Sequence, residues 1–164
     1  MNYTSNLSPS DIEYFVEEYS NMILRIAMHY VNNKVDAEDI TQYVFLKLIE
    51  KKPKFKDENH EKSWIIRVTI NLCKDNFKTA WYRKIIPIND SMIFSSIDQE
   101  DSILAYVKKL PTNQRNAIYL YYYEELSVSE IAKILSVKEN TIMSWLHRGR
   151  GKLKTLLKGE VQWI

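Results

Sequence analysis

Apolar residues recur every three or four positions along most of the chain, the spacing that gathers them on one face of an α-helix. Ser8-Pro9-Ser10-Asp11 reads as a helix start, with proline at the first helical position and an acid in the first turn. Ile12, Phe15, Val16, Tyr19, Ile23, Ile26, Ala27 and Tyr30 keep the helical spacing until Asn32-Asn33 breaks it. A second helix is predicted from about Val35 to Glu50, with Ala37, Ile40, Val44 and Leu48 on one stripe. The polar stretch Lys51 to Asn59 contains Pro53 and one aromatic, Phe55, and predicts a loop. A third helix is expected from near Glu61, carrying Trp64, Ile65, Val68, Leu72 and Phe77. Three helices of this size can bury one small core.

The segment Ile85 to Gln99 holds Pro87, Asn89, Asp90 and several serines, a composition expected of a linker, although Ile85, Ile86, Met92, Ile93 and Phe94 could dock elsewhere. Ile103 to Leu110 predicts a short helix stopped by Pro111. Thr112 can cap the next, which runs to about Glu124. Ser127-Val128-Ser129-Glu130 is a capping box that opens a helix through Leu135. Ser136-Val137 reads as a turn, and a last helix follows from near Glu139 to about Lys158. Tyr119 to Tyr123 has β-favouring residues but lies inside a helical pattern. The expected class is all-α: two small helical domains joined by a flexible linker, the second with a helix-turn-helix. The boundaries are residues 8–84, 85–99 and 100–160.

Composition narrows the function. The one cysteine, Cys73, allows no intrachain disulfide, which fits a reducing compartment. Met1 to Pro9 is polar and resembles no secretory signal. No run of about 18 apolar residues predicts membrane insertion, so the expected location is the cytoplasm. The three histidines, His29, His60 and His147, have no metal-ligand spacing, and no glycine-rich phosphate loop occurs. Neither an enzyme nor a cofactor is expected.

The net charge of +2 conceals two basic segments. Lys62 to Lys84 carries +5 and Lys138 to Lys158 carries +5, leaving −8 for the rest. Two contact sites for a polyanion would produce this distribution, and so would two solvated helix faces. In the second segment, Ile142, Leu146 and Leu153 form an inward stripe. The opposite stripe shows Asn140, Thr141, Ser144, His147, Arg148 and Gly151. Short polar groups at a helix start can reach base edges in a major groove, and cations can grip phosphates. An ordinary helical hairpin with a polar outer face has the same pattern.

The runs Leu110 to Arg115, Leu126 to Leu135 and Thr141 to Arg150 together resemble region four of the extracytoplasmic-function sigma factors of bacterial RNA polymerase. Asp36 to Phe45 and Ser63 to Leu72 resemble the family's two region-two helices, in the right order and ahead of the right C-terminal half. The resemblance covers roughly residues 11–84 and 100–158. It implies a promoter-specificity subunit that binds core RNA polymerase and promoter DNA, as duplex and as melted strand. An anti-sigma protein is a further partner that the family often has.

By that resemblance Asp36, Asp39 and Gln42 are the expected polymerase contacts. Phe55, Asn71, Lys74 and Lys78 are expected at the melted minus-ten element, because single strands are held by aromatic surfaces and a cationic track. Asn140, Thr141, Ser144 and His147 are expected near the bases of the minus-35 duplex, with Arg148 and Arg150 on phosphates. The chain departs from the family pattern at Tyr43, Ser136, Met143 and Trp145. A stand-alone DNA-binding regulator is the competing reading. The two N-terminal motifs speak against it.

Overall fold

The computed structural model describes residues 7–31, 33–78 and 102–161, which form seven α-helices and no strand. The chain divides into two compact units, Met1–Asp90 and Ser91–Ile164. The expected linker, 85–99, lies outside the described residues, as do Arg83 and Lys84.

The first unit packs α1 (Pro9–Met28), α2 (Lys34–Lys51) and α3 (Glu58–Lys78) against one another. Ser8 and Asp11 form a complete capping box at the head of α1. Asn33 caps α2, accepting a hydrogen bond from the Asp36 N–H at 2.7 Å. Helix α3 starts earlier than the apolar pattern predicts. The cause is Asp57, whose Oδ1 accepts from the His60 N–H at 2.8 Å and whose carbonyl accepts from the Glu61 N–H at 3.1 Å. The core gathers Phe15, Ile23 and Ile26 of α1, Ala37, Val44 and Leu48 of α2, and Ile65, Ile66 and Ile70 of α3.

An ionisable residue sits in this core. Glu61 is fully buried. Its Oε1 accepts from the Tyr19 hydroxyl at 2.7 Å and the Tyr14 hydroxyl at 3.3 Å, so it ties α1 to α3. Burial pushes its carboxyl above the usual range, outweighing the two hydrogen bonds. Partial desolvation of its hydroxyl and the neighbouring Glu61 carboxylate raise Tyr14 to about 12.

The second unit contains α4 (Ser102–Lys108), α5 (Thr112–Tyr122), α6 (Val128–Leu135) and α7 (Glu139–Val161). Helix α7 packs on the other three. Pro111, not Thr112, holds the N-cap position of α5, and no side chain caps it. Thr112 is already helical, because proline's fixed φ suits the step into the first turn. The Ser127–Glu130 capping box opens α6 as expected.

Candidate nucleic-acid interface

The turn between α6 and α7 sets the aim of α7. Ser136 adopts a left-handed conformation, φ 55° and ψ 46°, where glycine is at least cost. The Val137 N–H then donates back to the Ala132 carbonyl at 3.0 Å, which closes the end of α6 and reverses the chain. Ala132 is buried and small, so the two helices can approach.

Helix α7 is seated by Ile142 and Leu146, both buried, and by Gly149. A Cβ on Gly149 would stand 2.9 Å from Cγ1 of Ile118 on α5. Glycine at this position leaves the space that Ile118 fills. With that face inward, Asn140, His147 and Arg148 are exposed, and Thr141 and Ser144 are partly exposed. Five of the six expected duplex contacts thus share one outward surface.

Arg150 does not join them. Its Nη1 donates to the Tyr122 hydroxyl of α5 at 3.0 Å. It borders an apolar groove of about 640 Å³ floored by Ile103, Val107, Leu153 and Leu157. A two-residue step along a helix turns the side chain about 200°, which is why Arg148 and Arg150 diverge. Met143 is exposed and Trp145 half-buried.

In the first unit the outward stripe of α3 carries Arg67, Asn71 and Lys74, all exposed. Their four- and three-residue spacing stacks them along one face. The backbone of Lys78 continues this helix, while its side chain is outside the described residues. Arg67 was missing from the expected contacts, although the same spacing arithmetic from Asn71 finds it.

Phe55 is placed differently from the expectation. It is only 6% exposed. Its ring centroid lies 5.9 Å from Phe15, 5.6 Å from His60 and 5.7 Å from Trp64. Phe55 therefore belongs to an aromatic cluster that anchors the α2–α3 loop, and its ring is not open to a single strand. His60 supports that loop by accepting from the Lys56 N–H through Nδ1 at 3.2 Å.

On α2, Asp39 and Gln42 are exposed. Asp36 is engaged locally: its Oδ2 accepts from Nδ2 of the capping Asn33 at 2.6 Å. Val35, Tyr43, Leu46 and Ile49 are also exposed, and all but Tyr43 share the stripe of Asp39 and Gln42. This apolar component of the surface was readable from the sequence, since these residues fall off the buried Ala37–Ile40–Val44–Leu48 stripe. Exposed apolar groups clustered on one helix mark a binding surface more often than scattered ones do.

Comparison with known proteins matches two family models to the chain in succession. The Sigma-70 region 2 family matches residues 15–83, and the Sigma-70, region 4 family matches residues 100–153. RNA polymerase sigma factor SigZ of Bacillus subtilis is 31% identical over 91% of this chain and 88% of its own length. ECF RNA polymerase sigma factor SigM of the same organism is 27% identical over 88% of this chain and 94% of its own. Among solved structures, the sigma factor RpoE of Bartonella quintana, crystallised with the anti-sigma factor NepR, has the same fold. Its TM-score is 0.74 at 22% identity, covering 91% of this chain and 98% of that one. With both regions matched and a relative at this identity aligned nearly end to end, the chain belongs to the sigma-70 family of RNA polymerase sigma factors, in its extracytoplasmic-function branch.

Proposed function

We propose that the two units divide the promoter between them. Sigma factors of this type direct core RNA polymerase to promoters and start transcription. In this chain the second unit reads the minus-35 duplex. Asn140, Thr141, Ser144 and His147 of α7 face the bases, and Arg148 holds a phosphate. The first unit handles the melted minus-ten strand along Arg67, Asn71, Lys74 and Lys78 of α3. Phe55 acts there indirectly, by fixing the loop that precedes α3. Asp39 and Gln42, with Val35, Leu46 and Ile49 beside them, form the docking face for core polymerase. Asp36 shapes that face through its cap.

The observation that carries this reading is the outward polar surface of α7, set by an inward stripe of Ile142, Leu146 and Gly149. The remaining parts follow from the family. The chain works in the cytoplasm, the chemistry of RNA synthesis belongs to the polymerase, and no cofactor is needed. Among the described residues no helix is long and apolar enough to cross a membrane. An anti-sigma protein is proposed as a regulatory partner. RpoE, a protein of the same fold, was solved bound to one.

The test is transcription in vitro, with this protein and core polymerase on a library of randomised promoters. Selected templates should share two separated sequence elements. Failure to co-purify with core polymerase, or transcripts without a shared element, would overturn the reading.

A further inference from the structure

The outward surface of α7 carries an apolar side chain among its polar ones. Met143 is 55% exposed. Asn140, three residues before it, and His147, four residues after it, are exposed as well. That spacing stacks the three along one line of the helix surface. Ile142 and Leu146, which seat the helix, are buried, and Met143 is left to the solvent.

The neighbours of Met143 define what it can meet. From Glu139 to His147 the chain has no lysine or arginine. This stretch therefore lacks the side chains that most often pair with O6 and N7 of guanine. Asn140 offers an amide, which matches N6 and N7 of adenine, while Thr141 and Ser144 suit several bases. Met143 has no donor and only a weak acceptor in its sulfur. The apolar group that a base pair shows in the major groove is the C5 methyl of thymine. Methionine suits it: an unbranched, polarisable side chain can lay its end against a methyl group without moving the backbone.

We infer that Met143 reads a thymine in the duplex that α7 faces, by covering its C5 methyl beside the base pair that Asn140 faces. The inference rests on the proposed reading of α7 and deepens it, because it names the chemical feature recognised and adds a specificity-determining residue to the polar four. The contact takes the exposed apolar end of Met143 out of water only where the methyl is present. A cytosine in the same place sets the thioether against an amino donor that it satisfies poorly.

The experiment uses holoenzyme assembled from this chain and core polymerase, bound to the promoter it selects from a randomised library. Each thymine of the minus-35 element is replaced in turn by deoxyuridine, which keeps every hydrogen-bonding group and lacks only the methyl. One replacement should weaken binding by about fourfold, the worth of one buried methyl group. Met143→Ala holoenzyme should bind the thymine and deoxyuridine forms of that site equally, and Met143→Leu should keep part of the difference. Asn140→Ala should weaken binding to both forms alike and keep the methyl preference. A minus-35 element without thymine, binding indifferent to every replacement, or a Met143→Ala protein with the full methyl preference overturns the inference. Loss of the preference in Asn140→Ala also overturns it, by tracing the effect to the seating of α7. In all these cases wild-type holoenzyme that selects two separated elements leaves the proposed function standing. Wild-type protein that selects none removes both.

Discussion

Gly149 and Ile118 meet so closely that a single added methyl group would stand 2.9 Å from the isoleucine Cγ1. The pair sets how near α7 comes to α5, and so how far the polar surface of α7 projects. Gly149→Ala gains helix propensity of about 1 kcal/mol but overpacks the contact, which costs about 1–3 kcal/mol. The expected result is a net loss of up to about 2 kcal/mol in chemical denaturation. Adding Ile118→Val should recover part of it, because the two sites share one space. Additive losses in the double variant would show that the contact is not the cause.

The turn at Ser136 should respond in the opposite direction. A left-handed backbone costs an ordinary residue about 1–2 kcal/mol, while glycine adopts it freely but loses more entropy on folding. Ser136→Gly is therefore expected to stabilise the chain by about 0.5–1 kcal/mol. Ser136→Val, β-branched at the same φ, should destabilise it. A rise in the denaturation midpoint for glycine and a fall for valine is the readout.

Glu61 makes stability depend on pH with a defined sign. Its folded-state carboxyl is raised by burial, so the native state holds its proton more tightly than the unfolded chain does. That contribution is full below the ordinary glutamate range and is lost as pH rises through the raised value. Glu61→Gln removes the titration while keeping an oxygen acceptor for Tyr14 and Tyr19. Relative to wild type, the variant should gain stability as pH rises from about 4.5 towards neutrality. Urea midpoints at several pH values measure this, and parallel curves for the two proteins would contradict it.

Phe55 and Asn71 separate packing from contact. Phe55→Ala should cost about 3–5 kcal/mol, since it empties the cluster with Phe15, His60 and Trp64. Phe55→Leu should keep most of the fold, and with it promoter opening. Asn71→Ala, on the exposed stripe, should change stability by less than about 0.5 kcal/mol yet reduce opening, read as permanganate reactivity of unpaired thymines. If Phe55→Leu folds normally and fails to open promoters, the aromatic ring has a direct role after all.

The helices and most of their faces were legible in the sequence, because periodicity, capping boxes and proline positions all act locally. What was not legible depends on partners distant in sequence. An aromatic in a lysine-rich loop looks the same whether it points out or in. Only the approach of Phe15 from α1 decides that Phe55 points in. Arg148 and Arg150 point apart by helical spacing alone, but that Tyr122 of α5 receives Arg150 is decided by packing. Lys109 and Lys152 border one cleft only once α5 and α7 are packed. The early start of α3 was a local signal that apolar spacing hides, since Asp57 is a polar cap.

The exposed apolar groups of α2 also govern the subunit when it has nothing to hold. Each idle molecule presents Val35, Leu46 and Ile49 to water, and the force that would seat a partner there is non-directional. Any apolar surface of matching shape gains by taking these three side chains out of water, so the stripe by itself does not choose its partner.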